Sequence, residues 1–254
     1  MQREIAAAAD AVVIENLTKV YAEVRAIDGL SVSIHESEVF GLLGPNGAGK
    51  STTINCLTGL TKPTGGTVRV CGLDSAAEGS KVREVLGVSP QETAVYPYLT
   101  GRENVMLFGA LYSVPRKELD ARVDRVIEKV GLIDEAGRRA GKYSGGMKRR
   151  VSIAMALVHD PRVVLLDEPT VGMDPQSRRA VWDFVAELRD GGKTVVLTTH
   201  YMEEAEELCD RVGIIDHGRL IALGSPAELR ARYGARDLED VFIQLTGRRI
   251  REGS

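Results

Sequence analysis

The chain has 254 residues, of which 43% are hydrophobic and 27% are charged, and its formal net charge is −3. This composition is typical of a folded globular protein and excludes disordered and fibrous chains. Its apolar runs are far shorter than the roughly 18 residues of a membrane-spanning helix, and the slight excess of acid argues against nucleic acid as a partner.

The cysteines and the N-terminus indicate the compartment. Cys56, Cys71 and Cys209 are odd in number and widely separated. They match neither a disulfide framework nor a metal-binding pair, so we expect a reducing, cytoplasmic environment. Residues 1–11 lack an apolar core long enough for a secretory signal, and we expect them to form a flexible start.

Strand patterns dominate the first part of the chain. Residues 12–17, 30–34 and 67–70 alternate between apolar and polar, as half-buried strands do. Four further runs are apolar throughout, which is typical of strands buried on both faces; they are 39–43, 163–166, 194–198 and 212–215. In the second half such runs alternate with helical patterns, one of them opened by Asp174 and Pro175, and this predicts a parallel α/β core.

The middle of the chain, residues 100–159, shows repeated helical signals and no strand pattern. Thr100 and Glu103 form a capping box at the start of one helix. Pro115 opens a second segment, whose apolar residues fall on one helical face. We therefore predict a helical insert in the α/β core.

The remaining signals complete a division of the chain into parts. Ser225 and Pro226 start a C-terminal helix, and Arg248, Arg249 and Arg251 form a basic tail. The predicted parts are a flexible N-terminus (1–11), a β-rich part with a phosphate loop (12–99), a helical subdomain (100–159), a second part of the core (160–224), and C-terminal helices with the basic tail (225–254).

A phosphate-binding loop occupies residues 44–51, which read GPNGAGKS and match the pattern GxxxxGK[ST]. It follows the predicted strand 39–43 and precedes a helix, where backbone N–H groups can surround phosphate oxygens. Lys50 supplies a charge for the β- and γ-phosphates, and Ser51 supplies a hydroxyl for Mg²⁺. A glycine-rich turn built for packing alone would need neither.

Two acids follow the predicted buried strand 163–166. Asp167 and Glu168 end that strand, where the ligands of parallel sheets bind. We expect Asp167 to hold Mg²⁺ through water and Glu168 to polarise the attacking water. A solvated acidic turn is the structural alternative.

A second candidate anion site opens another helix. Residues 143–147 read YSGGM, in which Ser144 can cap the helix. Gly145 and Gly146 leave the first N–H groups of the helix uncovered, so an anion could bind there. The residues alone leave open a glycine-hinged helix start that binds nothing.

Taken together, these motifs resemble the ATP-binding cassette (ABC) ATPases that drive transporters, over about residues 12–245. The resemblance implies an α/β fold with a P-loop NTPase core, a parallel sheet, an N-terminal antiparallel β subdomain and an α-helical insert, with ATP and Mg²⁺ bound. It implies nucleotide binding by Tyr21, Gly44, Pro45, Asn46, Gly47, Ala48, Gly49, Lys50, Ser51, Thr52, Gln91, Ser144, Gly145 and Gly146. It implies Ser51, Gln91 and Asp167 as metal ligands, and Glu168 and His200 as catalytic residues.

Several of these roles come from the resemblance. Tyr21 corresponds to the aromatic residue that stacks on adenine, and Gln91 to the glutamine that links Mg²⁺ to the membrane subunit. Residues 171–174 resemble the loop after the catalytic acid, and His200 resembles the histidine that contacts the γ-phosphate. From the residues alone, Tyr21 and His200 could also be ordinary strand-end side chains.

The resemblance also implies partners. Two cassettes of this family pack head to tail, and each ATP lies between one phosphate loop and the signature helix of the partner, here the helix that Ser144 opens. We therefore expect an ATP-dependent homodimer. We also expect a separate multi-span permease subunit, which would place the chain at the cytoplasmic face of the cell membrane.

The sequence departs from the common family pattern at the signature, where many cassettes have Leu at position 143 and Gln at position 147. The YSGGM form, the basic residues 148–150 and the ending 238–242 are most similar to the drug and antibiotic exporter cassettes. Two alternatives remain: a soluble repair or ribosome-associated cassette, and a small-molecule kinase. Such cassettes usually carry coiled-coil insertions or two cassettes in one chain, and a kinase would leave the signature unexplained.

Overall fold

A computed structural model describes residues 9–247 of the chain. The basic tail and residues 1–8 of the expected flexible start lie outside the described residues. Within them the strands are β1 (Asp10–Tyr21), β2 (Val24–His35), β3 (Val39–Leu43), β4 (Gly65–Val70), β5 (Leu73–Asp74), β6 (Leu86–Ser89), β7 (Val163–Asp167), β8 (Thr194–Thr199), β9 (Arg211–Asp216) and β10 (Arg219–Gly224).

The helices follow the same chain order. They are α1 (Lys50–Leu57), α2 (Gly79–Val85), α3 (Gly101–Leu111), α4 (Arg116–Lys129), α5 (Gly145–Leu157), α6 (Pro175–Asp190), α7 (Met202–Leu208), α8 (Pro226–Tyr233) and α9 (Leu238–Thr246), with a short 3₁₀ turn at Ala140–Lys142. No helix within residues 9–247 is long and apolar enough to cross a membrane.

Two sheets form the framework. The first is antiparallel, with the order β2-β1-β4-β5. The second has the order β10-β9-β3-β8-β7-β6 and is parallel from β9 to β6, with β10 antiparallel at one edge. The predicted parallel core and N-terminal antiparallel sheet are both confirmed.

The four runs predicted as buried strands are confirmed. Every residue of β3, β7 and β8 is buried. Their side chains alternate between two hydrophobic cores: Phe40 and Leu42 lie in the core that includes the antiparallel sheet, whereas Val39 and Leu43 lie in the core that includes the helices. Burial on both faces removes the need for polar residues, which explains the apolar sequence.

The strands predicted at 12–17 and 30–34 are correct in type but too short. In the structure β1 and β2 each contain 12 residues. Their pairing has register shifts after Ile14 and Leu17, and Asn16 adopts a positive φ of 50°. These irregularities interrupt the alternation that a regular half-buried strand would show.

The predicted helix starts are confirmed by their caps. Thr100 and Glu103 form the capping box of α3, and Ser225 caps α8 in the same way. Ser144 accepts from the Met147 N–H, and Asp174 accepts from the Ser177 N–H. Residues 100–159 contain helices, and their one strand-like contact is an isolated bridge between Thr100 and Arg139.

Candidate nucleotide-binding site

The loop at residues 44–51 joins β3 to α1, and close approaches require two of its glycines, Gly44 and Gly49. A Cβ on Gly44 would lie 2.3 Å from the Ile215 carbonyl oxygen. Gly49 has a φ of 107°, and a Cβ there would lie 2.6 Å from the Ala26 carbonyl oxygen. The first N–H groups of α1 have no partner within the helix, so this turn presents them to an anion.

Lys50 lies where the carboxyl ends of the central parallel strands meet. Its side chain is almost fully buried, and its Nζ donates to the Gly44 carbonyl at 2.8 Å and to the Pro45 carbonyl at 3.3 Å. The same atom lies 3.1 Å from Glu168 Oε1. The lysine therefore joins the phosphate loop to the acid at the end of β7.

Glu168 is held from three sides. Its residue has a positive φ of 50°, and its N–H donates to Thr198 Oγ1 at 3.0 Å. Its carboxylate contacts Lys50 through one oxygen, while the other lies 2.7 Å from His200 Nδ1. A carboxylate can only accept, so this contact requires the ring proton on Nδ1. The structure thus brings together three residues that the sequence predicted from three separate motifs.

Most of the predicted binding residues line one open depression. Those that line it are Tyr21, Pro45, Asn46, Gly47, Gly49, Lys50, Ser51, Thr52, Gln91 and Glu168. Gly44 and Ala48 are buried parts of the same loop. Tyr21 is partly exposed, and Lys19 Nζ lies 4.8 Å from its ring centroid. The exposed ring could therefore stack on a planar base.

The oxygen donors predicted for a metal fit Mg²⁺. Ser51 offers a hydroxyl and Gln91 an amide oxygen on the wall of the depression. Asp167 is nearly buried, and Thr198 Oγ1 donates to its Oδ1, which fixes the carboxylate. Hard oxygen ligands with few carboxylates are what Mg²⁺ takes at phosphate sites. No cluster of three or more His, Cys, Asp or Glu side chains suited to a metal occurs among residues 9–247.

The second candidate anion site lies apart from this depression. Ser144 and Gly145 are exposed at the start of α5, and a Cβ on Gly146 would contact Ser177 of α6. Tyr143, which stands where many cassettes have Leu, is buried and donates to the Glu135 carbonyl at 2.5 Å. The described residues of one chain therefore do not bring the two anion sites together.

Sequence reasoning missed three buried polar groups near the site, namely Thr198, Arg149 and Glu204. Thr198 was assigned only to a buried strand, yet it orients both acids. The sequence places Arg149 only within a basic cluster, yet the residue is buried and donates to four backbone carbonyls. Burial lowers the pKa of Arg149 to about 10, so its guanidinium remains charged at neutral pH.

Glu204, four residues after His200 in the chain, is another buried carboxyl group. Glu204 Oε1 accepts from Thr170 Oγ1 at 2.8 Å and from Trp182 Nε1 at 3.3 Å. Burial raises the pKa of Glu204. No sequence motif pointed to this group, because its partners are 22 and 34 residues away.

Comparison with known proteins decides the family. The family model described as ABC transporter matches residues 27–171, which is more than half of the chain. The chain belongs to the ABC transporter ATP-binding family. The fold and the ATPase domain inferred from the sequence motifs are thereby confirmed.

Individual relatives agree with this assignment. The cassette is 46% identical to the linearmycin resistance ATP-binding protein LnrL of Bacillus subtilis, over 94% of this chain and 75% of LnrL. It is 47% identical to the daunorubicin/doxorubicin resistance ATP-binding protein DrrA of Streptomyces peucetius, over 86% of this chain and 66% of DrrA. These similarities do not favour a repair or ribosome-associated cassette.

A solved structure shows the same architecture. The cassette matches cbiO1 of Clostridium perfringens, described as part of the ABC transporter complex cbiONQ, with a TM-score of 0.80 and 30% identity. The match covers 87% of this chain and 91% of cbiO1.

Proposed function

We propose that this cassette hydrolyses ATP to energise an exporter, working through a separate membrane subunit. The observation that carries the hydrolytic role is the meeting of Lys50, Glu168 and His200 at the ends of the adjacent strands β3, β8 and β7. A phosphate-binding lysine, a carboxylate base and an imidazole at one point are the groups that in-line attack of water on a phosphoryl group uses.

Each residue has a role in this reaction. The loop N–H groups and Lys50 bind the β- and γ-phosphates, and Tyr21 stacks on adenine. Glu168 accepts a proton from the attacking water, and His200 orients that carboxylate through its Nδ1–H. Mg²⁺, when bound to Ser51, Gln91 and Asp167, would neutralise charge on the phosphates. The fixed positions of these groups lower the cost of organising the transition state.

The substrate class is proposed from the relatives. LnrL and DrrA are named for resistance to linearmycin and to daunorubicin or doxorubicin. We infer that the exported substrate is drug-like, antibiotic or lipid-like. The cassette would then work at the cytoplasmic face of the cell membrane.

The exposed start of the signature helix supports a head-to-tail dimer. Ser144 and Gly145 are exposed at the start of α5, outside the depression that Lys50 lines, so a second copy can bring them to its own nucleotide. Ser144→Arg is expected to abolish ATP-dependent dimerisation of the Glu168→Gln protein, measured by light scattering, because the long side chain obstructs the exposed start of α5. ATP binding by the monomer should change less than about threefold.

Ser225→Arg is the matched control for that experiment. Ser225 is also an N-cap serine, and the N–H of Glu228 donates to its side chain. Its replacement removes a cap of the same kind on α8, so the dimer should form normally. An ATP-dependent dimer that persists in the Ser144→Arg protein would refute the proposed interface.

Exposed apolar residues support docking to a membrane subunit. Tyr98 is 84% exposed and Leu111 is 66% exposed. Leu111 also borders a groove between α2 and α3, which Phe108 and Tyr112 line. The apolar side chains that lie together in this groove, rather than single exposed residues, are typical of a protein contact.

Leu111→Arg is expected to release the tagged cassette from native membranes and from any co-purified multi-span protein. A buried arginine with no partner would cost the interface about 2–5 kcal/mol, which corresponds to a loss of at least tenfold in retained cassette. Leu60→Arg is the control, since Leu60 is 76% exposed and lies outside this groove. Equal retention of both variants would contradict this docking surface.

A further inference from the structure

Arg149 joins three segments of the nucleotide site. It lies in the second turn of α5, and its side chain donates only to backbone carbonyls. Nη1 donates to the carbonyls of Pro90 and Gln91, the latter at 3.2 Å. Nε donates to the Pro169 carbonyl at 3.0 Å, and Nη2 donates to the Asp167 carbonyl. One guanidinium therefore bonds to the loop after β6 and to the loop after β7.

Backbone hydrogen bonds do not join these two loops within the described part of the chain. The strands β6 and β7 pair in parallel up to Ser89 and Leu166, and the ladder ends there. Among the described residues, no backbone hydrogen bond joins 90–93 to 167–170. Beyond the end of the ladder, the hydrogen bonds of the Arg149 side chain connect the two loops. One side chain can do this because a planar guanidinium presents donors in several fixed directions.

We propose that Arg149 is a positioning residue that fixes the Gln91 loop and the Asp167–Glu168 turn relative to each other and to the first turn of α5. Two proposed ligands of Mg²⁺, Gln91 and Asp167, are each bonded to Arg149 through their own backbone carbonyls. The separation of these ligands then depends on one side chain. This inference rests on the proposed ATPase function, but its first test does not require catalysis.

The conservative variant separates bridging from charge. Arg149→Lys keeps a positive charge but places all its donors on one nitrogen, so it loses the planar fork that directs Nη1 to one loop and Nη2 to the other. Arg149→Gln removes the charge and leaves a shorter side chain whose amide group can still donate a hydrogen bond. If the Gln variant fails to fold, the Lys variant still decides the question.

A matched control lies one residue away. Arg150 is half-buried on α5, and its Nη1 donates to the Val130 and Gly131 carbonyls at 3.1 Å each. These acceptors lie at the end of α4 and belong to neither loop of the nucleotide site. Arg150→Lys therefore removes the same kind of bonding without touching the proposed bridge.

The first test is hydrogen exchange of the nucleotide-free protein. Arg149→Lys is expected to speed amide exchange about tenfold in the peptide that covers 168–171, where the N–H groups of Glu168 and Val171 donate to the carbonyls of Thr198 and Glu168, while Arg150→Lys speeds exchange near residue 131. Trp182 is the sole tryptophan of the sequence, so its fluorescence emission provides a second measurement. It shares Glu204 with Thr170, which follows Pro169, so its emission should shift in the Arg149 variant and stay unchanged in the control.

The second test is the Mg²⁺ dependence of ATP hydrolysis. Residues that orient metal ligands typically change metal affinity by about 10- to 100-fold when replaced. Arg149→Lys is therefore expected to raise the KM for Mg²⁺ at least about tenfold, with a smaller change in kcat. A purely structural role would lower the melting temperature and leave this KM unchanged.

Each outcome decides between the hypotheses. Faster exchange confined to α5, or a Lys variant with the wild-type KM for Mg²⁺, would overturn the bridging role of Arg149. If the wild-type protein hydrolyses no ATP, the proposed function fails, whereas the exchange experiment still tests the link between the two loops.

Discussion

Glu168→Gln is expected to bind ATP with nearly wild-type affinity and to hydrolyse it about 10²- to 10⁴-fold more slowly, because a positioned general base contributes a factor of that size. The amide keeps the shape of the carboxylate and can still contact His200, which lies 2.7 Å from Oε2. It cannot accept the proton of the attacking water. Steady-state phosphate release and ATP titration measure the two effects separately.

Loss of turnover should also trap the ATP-bound state. Without hydrolysis the proposed dimer has no step that opens it, so light scattering should show an ATP-dependent dimer. Glu38→Gln is the control, because Glu38 is a buried carboxylate that pairs with Arg211 at 3.1 Å at the opposite end of β3. That variant should turn over ATP within about twofold of wild type. A Glu168→Gln protein with near-normal hydrolysis would remove Glu168 from the role of base.

The central strands could be predicted because the physics of their environment is simple. Strands β3, β7 and β8 lie inside the parallel sheet and are covered on both faces, so apolar residues or glycine occupy their middle positions. The phosphate loop could also be predicted from the sequence. Its residue pattern and its position between a strand and a helix both follow from the backbone geometry that the loop needs.

The edge strands β6 and β10 were not predicted. Strand β6 has four residues, one of which is Gly87, and glycine normally disfavours a strand. The structure explains the glycine: a Cβ there would lie 2.1 Å from the Ala156 carbonyl oxygen of α5. This close packing is a contact between distant parts of the chain, so no local sequence pattern predicts it.

The arrangement of the candidate site was only partly predictable. Separate motifs pointed to Lys50, Glu168 and His200, but their contacts depend on the order of the strands. Arg149 was missed because α5 is buried over most of its surface after the first turns, so the helix has no clear polar face on which to place a charge. A basic residue next to two others in the sequence is typical of a solvated surface.

Lys50→Ala is expected to weaken ATP binding by about 30- to 150-fold, which corresponds to about 2–3 kcal/mol for a charge-assisted hydrogen bond. Equilibrium titration with a labelled ATP analogue measures it. Lys193→Ala is the control, because Lys193 also forms an ion pair, with Asp160, before β8 begins. An unchanged affinity in the Lys50 variant would contradict the phosphate-binding role.

A double variant separates phosphate binding from protein stability. Lys50→Ala leaves the buried Glu168 carboxylate without its cation, and an unpaired buried charge destabilises a fold. Adding Glu168→Gln removes that charge, so the melting temperature should recover. ATP affinity should stay low, because the amide restores no charge for the phosphates. Recovery of both properties would mean that Lys50 acts on ATP only through Glu168, whereas recovery of stability alone assigns the phosphates to Lys50 itself.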